Sequence, residues 1–453
     1  MLDFANCDIV QIELKSIYLC SMANEDNKAE EKRTPSILDK LNIKQKKERK
    51  SFPQPEGDGK AIQMDNSGEF EMVATCMQNI EEELEEEIAA IGGTDIKRQK
   101  RAISFRGDLS VLYKANIWLR TALKVLKPIY HFKAHTEDQF YRKAKEYAWE
   151  ELFGSDKTFY IDFAVNAKHF PHSQYIALRL KDAIVDRFKD GGMERPNVAK
   201  TDADVKIHLH IREQHVTISL DSSGEPLFKR GYRRESSAAP INETLAAALI
   251  LKTKWKGEQD FFDPMCGSAT IAIEAALIAA NIPPNYNRTN FAFESWADYD
   301  QSLFSKILGE AKEHYREPSC KIYAQDIQSN AIRAARININ AANLRNHIEL
   351  KQTDFFKAHP PAESGVILMN PPYGERLNVS GDLPSFYNKI GETLKHSYTG
   401  WTAWIFSTDS EGFKNVGLKA KVKIPLMNGK LPCKLMGFEL FEGKRIDMLK
   451  SEE

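Results

Sequence analysis

The run Val366-Ile367-Leu368-Met369-Asn370-Pro371-Pro372-Tyr373-Gly374 places an amide, a rigid turn and an aromatic ring directly after an apolar stretch. The apolar residues suit a strand covered on both faces, and in open α/β sheets ligands gather beyond the carboxyl ends of strands. Pro371 and Pro372 fix φ and carry no N–H, so the Asn370 amide oxygen and the Pro371 carbonyl are left to face one donor. A planar NH2 group fits two such acceptors. An exocyclic amine on a base is a poor nucleophile, because its lone pair is delocalised into the ring. Holding both N–H groups favours a pyramidal nitrogen and stabilises the positive charge that grows as a carbon bond forms. Tyr373 adds a flat face for the base, an interaction worth about 1–3 kcal/mol. Taken alone, the run also reads as a proline-rich turn after a core strand.

A second motif narrows the chemistry. Phe261-Phe262-Asp263-Pro264-Met265-Cys266-Gly267-Ser268-Ala269-Thr270 predicts a strand, a turn of small residues and then an apolar helix. Gly267, Ser268 and Ala269 let a ligand approach the backbone, and Asp263 sets a carboxylate at the strand end, suited to an ammonium group. A dinucleotide pyrophosphate wants bare amides and a Gly-x-Gly-x-x-Gly turn, and this acid would repel it. S-adenosylmethionine, cationic at sulfur and at its amino group, matches. The next predicted strand ends in Asp326, placed to accept ribose hydroxyls. Asp354 and Phe355 follow the third, placed for the adenine amine and ring. Any one of these acids also reads as a helix cap or a surface charge.

In this order the motifs at Asp263 to Thr270, Asp326, Asp354 and Asn370 to Tyr373 resemble class I S-adenosylmethionine-dependent methyltransferases. The Asn-Pro-Pro-Tyr-Gly form, with the region before it, is similar to THUMP-domain guanine-N2 RNA methyltransferases, especially those acting on large-subunit ribosomal RNA. The resemblance runs from about Phe70 to the end of the chain. It implies a Rossmann-like class I methyltransferase domain of α/β class, preceded by an α+β ferredoxin-like and THUMP RNA-binding region. It also implies S-adenosyl-L-methionine as cofactor, RNA as partner, and Asn370, Pro371, Pro372 and Tyr373 as the catalytic turn. One departure stands out: Ala269 occupies a position where the family often has a second glycine, so a tighter turn is expected.

The elements that must position these residues divide the 453-residue chain into several domains. Residues 1–68 read as a disordered extension, since Ser21 to Asp65 hold few large apolar groups. Residues 69–134 read as a ferredoxin-like lead-in, 135–226 as a THUMP-like unit, 227–244 as a linker and 245–450 as the catalytic domain. Helices are expected over Leu109 to Leu123 and Asp138 to Leu152, and the aromatic insert Pro283 to Trp296 as a substrate wall or a cover for the sheet edge. The basic, aromatic run Leu227 to Arg234 supplies Lys229, Arg230, Arg233 and Arg234 as RNA contacts, and the loop before a helix supplies Lys168. As plainly, the run reads as an interdomain linker.

A net charge of −1 excludes a uniformly basic nucleic-acid binder and leaves room for local patches. The six cysteines form no Cys-x-x-Cys pair, so reduced thiols and no zinc are expected; His208, His210 and His215 read as strand histidines and not as metal ligands. Acids at the amino terminus, in place of a signal peptide's positive charge, lead to a cytoplasmic expectation, with no membrane span and no obligate protein partner. Methylation of transfer RNA guanine, a noncatalytic RNA-binding factor that kept the fold, and a DNA adenine methylase remain as alternatives.

Overall fold

The computed structural model describes residues 59–61, 68–236, 240–372, 383–408 and 410–442. The amino-terminal half is built on β1 (Lys60–Ala61), β2 (Phe70–Cys76), α1 (Glu81–Ala90), β3 (Thr94–Gln99), β4 (Ala102–Gly107), α2 (Leu109–Trp118) and β5 (Ala122–Lys133). It continues through α3 (Glu137–Glu146), α4 (Trp149–Leu152), β6 (Thr158–Asn166), α5 (Ser173–Asp190), β7 (Asn197–Val198), β8 (Val205–Arg212) and β9 (His215–Asp221). These nine strands form one sheet in the order β3-β4-β2-β5-β9-β8-β6-β7, with β1 added beside β5. Strand β5 explains the continuity. At 12 residues it is long enough to give one edge to β2 below and β1 above, and its other edge to β9. The lead-in and THUMP-like units therefore share a strand and a hydrophobic core.

Strands β2 and β8 alternate between buried and more exposed positions, as a sheet with one covered face requires. Three expectations are corrected. The extension expected over residues 1–68 contains an ordered strand at Lys60–Ala61, because β2 leaves half of the β5 edge unpaired. The helix expected to reach Leu123 stops at Trp118: Leu119 is extended, and the Arg120 and Thr121 amides donate to Glu87 at 2.9 and 3.0 Å. The helix expected over Asp138 to Leu152 breaks at Tyr147, which is extended, and resumes as the short α4.

The carboxyl-terminal half comprises α6 (Glu243–Lys252), β10 (Phe261–Asp263), α7 (Thr270–Ala279), α8 (Gln301–Glu313), β11 (Ile322–Asp326), α9 (Ser329–Ala341) and β12 (Ile348–Gln352). It ends with β13 (Gly365–Met369), α10 (Leu383–Ser397), β14 (Trp401–Ser407), α11 (Ser410–Asn415), β15 (Val422–Asn428) and β16 (Leu431–Glu439). The seven strands lie in the order β12-β11-β10-β13-β14-β16-β15; the first five are parallel, and the final hairpin runs antiparallel. The chain moves outward from β10 to β12, then returns to β13 on the other side of β10. That reversal opens a crevice at the carboxyl ends of β10 and β13. Every residue of β13 is buried, as its unbroken apolar run implies.

The two halves meet along a polar seam. Asn116 donates to Ser222 Oγ at 2.9 Å, accepts from Ser223 Oγ at 2.7 Å, and receives the Asn285 amide on its carbonyl at 3.1 Å. The insert from Pro283 to Trp296 is corrected here: its rings join the core of the amino-terminal sheet. Phe293 lies 4.6 Å from Tyr113, and Phe291, Phe293 and Trp296 are buried with it. The insert therefore fastens the catalytic half to the module before it.

Candidate active site

The short strand β10 delivers Asp263 to the crevice with its side chain fully buried. Among the described residues neither carboxylate oxygen has a hydrogen-bond partner within ordinary geometry. Burial, and then the nearby Asp326 charge, push its pKa well above the usual carboxylate value, against the pull of the Met265 and Ala272 amides. A buried acid left in this state is poised for a cation. The turn that follows runs through Gly267 at φ 53° and Ala269 at φ 65°, both left-handed. For alanine that conformation costs roughly 1–2 kcal/mol. It bends the chain back so that α7 starts at Thr270, with Ile273 N donating to Ala269 O at 2.9 Å.

Strand β11 is held against this turn. Cys266 N donates to Gln325 O at 2.9 Å, and Gly267 N donates to Asp326 Oδ2 at 2.9 Å. Asp326 Oδ1 accepts from Gln328 N at 2.9 Å, so each oxygen carries one amide and keeps further lone-pair capacity. Asp354 is half-buried and accepts from Phe356 N at 3.0 Å, which fixes the turn after β12.

At the end of β13, Asn370 is half-buried, Pro371 buried and Pro372 half-buried. Asn370 Oδ1 is buried and, among the described residues, unpartnered, as expected of an acceptor held for an external donor. Tyr373 lies outside the described residues.

The remaining expected site residues divide sharply. Phe355 is only 3% exposed and stacks on Tyr398 at 5.5 Å inside the aromatic core, which leaves almost none of its ring for an adenine. This corrects its expected role. Arg230 is corrected too: its side chain is buried against Glu274 at 3.5 Å and donates to Leu227 O at 2.9 Å and Arg120 O at 2.5 Å. Arg233 also turns inward, donating to Glu243 at 2.8 Å, Ile241 O at 2.9 Å and Thr270 Oγ1 at 3.0 Å. Only Lys229, Arg234 and the distant Lys168 are exposed, and Lys229 pairs with Glu225. In an irregular segment with no helical or strand period, sequence cannot say which cations face inward.

Asn338, which the sequence reading did not single out, is 1% exposed and touches both the linker and the turn after β10. The signal was present: Asn338 falls on the stripe of Ala331, Ala334, Ala335 and Ile339 that α9 buries. A polar side chain on such a stripe must find partners.

Two cavities, of about 650 and 660 Å³, flank the linker and share Lys229, Arg230, Gly231 and Arg234. The second reaches the α6 cap at Asn242 and the hairpin tip at Asn428 and Gly429. That tip lies on the carboxyl side of the sheet, since Lys434 pairs with Ser407 at the end of β14. Neither cavity is lined by Asp263, Asp326 or Asn370, so strand topology and the orphaned polar atoms locate the candidate chemistry, and cavity size does not.

Comparison with known families matches the RMKL-like methyltransferase domain, UPF0020, to residues 230–436, the THUMP domain to 134–221 and the RlmL ferredoxin-like domain to 71–126. A Synechocystis protein provisionally named an RNA methyltransferase, slr0064, is 36% identical over 369 residues, covering 81% of this chain and 96% of its own. The chain belongs to the THUMP-bearing, RMKL-like methyltransferases. The resemblance to class I methyltransferases and the predicted two-part fold are thereby borne out. Ribosomal RNA large subunit methyltransferase K/L of Shewanella baltica is 35% identical over 80% of this methyltransferase, which spans about half, 52%, of that relative's length. Among solved structures, SMU.472, provisionally named a methyltransferase and complexed with SAH, superposes with a TM-score of 0.75 at 30% identity, covering 83% of this chain and all of its own. A Listeria monocytogenes protein, named from prediction as an N6-adenine-specific DNA methylase, gives 0.74 at 32%, covering 82% of this chain and 96% of its own. Among the described residues no helix is long and apolar enough to cross a membrane, and no group of three or more His, Cys, Asp or Glu side chains is placed to hold a metal ion.

Proposed function

We propose that this methyltransferase transfers a methyl group from S-adenosylmethionine to the exocyclic N2 amine of a guanine in large-subunit ribosomal RNA. The observation that carries the reading is the buried, unpartnered Asn370 amide oxygen at the end of β13, one strand from the glycine-containing turn after β10. The K/L relatives, named for large-subunit ribosomal RNA, support the substrate, and the SAH-bound SMU.472 structure supports the cofactor. The fit is physical as well: Asp263 is an acid without a partner, and the cofactor brings a cation.

When bound, S-adenosylmethionine supplies an electrophilic methyl group on a sulfonium. Asp263 takes the ammonium end, Asp326 uses its spare lone pairs for ribose hydroxyls, and Asp354 accepts from the adenine amine. Asn370 Oδ1 and the Pro371 carbonyl hold the two N–H groups of the target amine, so the nitrogen lone pair is free for carbon and the growing positive charge is stabilised. As the N–C bond formed the S–C bond would break, its electron pair staying on sulfur, and the methylated nitrogen would release one proton to solvent. Pro372 keeps the turn rigid, and Tyr373 stacks the base. The base must be unpaired or flipped to reach this edge. Lys229, Arg234 and Lys168, all exposed, take RNA phosphates.

Replacing Asn370 with Ala lowers the rate of methyl transfer by about 10²–10³, as loss of one transition-state acceptor does. S-adenosylhomocysteine affinity stays within about threefold, since the cofactor contacts are elsewhere. Near-normal turnover ends the assignment. The Listeria neighbour's name points to adenine N6, chemically the same kind of amine. Mass spectrometry of nucleosides from separated ribosomal RNA, transfer RNA and DNA, with and without the gene, decides among them.

A further inference from the structure

The turn after β10 is strained, and within it a single backbone bond, Ala269 N donating to Cys266 O at 2.7 Å, offsets that strain. Ala269 holds φ 65° and ψ 27°, a conformation suited to glycine, and its own methyl group is fully buried. The residues on either side of Ala269 are tied down from outside the turn. Asn338 Nδ2 donates to Ser268 O at 3.1 Å and to Glu235 O at 2.8 Å. Its Oδ1 accepts from Arg234 N at 2.8 Å and Glu235 N at 3.0 Å, so every hydrogen-bonding direction of this buried amide is used. From the linker, Arg233 Nη2 donates to Thr270 Oγ1 at 3.0 Å and Nη1 to Ser268 Oγ at 3.4 Å. Its Nε is anchored on Glu243 at 2.8 Å, which fixes the plane of the guanidinium.

We propose that Arg233 and Asn338 are positioning residues for the cofactor: together they clamp Ser268 and Thr270 and so hold Ala269 in the left-handed conformation that shapes the cofactor turn. The proposal rests on the reading of that turn as the S-adenosylmethionine site. It gives the linker a role beyond tethering, because the segment that joins the RNA-binding half to the catalytic half also sets the shape of the cofactor pocket. A glycine at 269 would need no clamp, since it adopts positive φ without steric cost. Alanine needs one.

The test is a double-mutant cycle read by calorimetric titration with S-adenosylhomocysteine, alongside thermal unfolding of each variant. Asn338→Ala weakens affinity by about 10-fold or more, and Arg233→Lys, which keeps the charge and loses the planar fork, by about 3–10-fold. In an Ala269→Gly background both losses shrink by at least about threefold, because glycine no longer needs to be held. A residue with a merely structural role would lower the melting temperature without that selective relief. If Asn338→Ala fails to fold, the Arg233→Lys and Ala269→Gly pair decides alone. Folded variants that bind as tightly as wild type, or losses unchanged by Ala269→Gly, overturn the clamp. Wild-type protein that does not bind S-adenosylhomocysteine overturns the cofactor reading instead, so the two failures are distinguishable.

Discussion

Two clusters of buried polar groups in this methyltransferase differ in how far they are satisfied. Along the seam between the halves, Arg120, Asn116, Ser222, Ser223, Arg230 and Tyr232 are threaded into hydrogen bonds, and among the described residues one side-chain atom each of Arg120, Glu274 and Asn285 is left over. At the carboxyl ends of β10 and β13, both Asp263 carboxylate oxygens and the Asn370 amide oxygen are unpaired among the described residues. An unsatisfied buried group costs about 1–3 kcal/mol, and three such atoms fall together in this one crevice. The seam spends its polar groups on joining domains. On the function proposed above, the crevice keeps its own for a ligand.

Breaking the seam should give the largest effect. Arg230→Met leaves Glu274 buried without its cation. Burial already raises the Glu274 pKa, and Arg230 and the Tyr232 hydroxyl are the chief groups holding it down. Loss of one member of a buried pair destabilises by about 3–5 kcal/mol. Denaturant unfolding measures this, and a change below about 1 kcal/mol would show that the seam is not load-sharing. Asn370→Ala, next in size, costs about 2.7–4 kcal/mol in the transition state by the rate loss given above. Its melting temperature should hold or rise, because an unpaired acceptor is removed. A fall of several degrees would place Asn370 with the seam and not with the crevice.

The acid in the crevice gives a smaller effect with a definite sign. The Asp263 pKa lies well above its ordinary 3.8, so the folded protein binds this proton more tightly than the unfolded chain does. Below pH 3.8 both states hold the proton and no stability is lost; as pH rises through the native value, the buried charge appears and stability falls. Asp263→Asn removes that slope. Its stability relative to wild type should grow as pH rises above 3.8, while S-adenosylhomocysteine affinity drops. Parallel pH–stability curves for the two proteins would remove Asp263 from the cation site.

The contrast also explains what the sequence revealed. Strand-end motifs are read from local order, an apolar run followed by Asp263, Asp326 or Asn370, and topology then brings those ends together wherever a parallel sheet reverses direction. The seam has no such local signature. Arg230 and Arg234 stand four residues apart in one basic run, and only the packing of α7 beneath one and solvent beside the other separates their roles. Phe291 and Phe293 likewise read as part of a substrate wall or a cover for the sheet edge, when their partner, Tyr113, is nearly two hundred residues away. Phe355 was misread for the same reason: nothing adjacent announces Tyr398 as its neighbour.

The smallest predicted effect separates the outward arginine from the inward one. Arg234 is exposed, and its backbone amide, not its guanidinium, makes the contact to Asn338. If its guanidinium meets a phosphate, Arg234→Ala should weaken RNA binding only a few-fold and lower the slope of log affinity against log salt by about 0.7, the value for one contact on a single strand. S-adenosylhomocysteine affinity should not move, because the main-chain link to Asn338 survives the substitution. Arg233→Lys should do the reverse, weakening the cofactor while leaving the salt slope as it was. Binding measured across a salt series for both variants checks the pair. An unchanged slope for Arg234→Ala would remove Arg234 from the phosphate contacts and leave Lys229, Lys168 and the THUMP-like half to supply them.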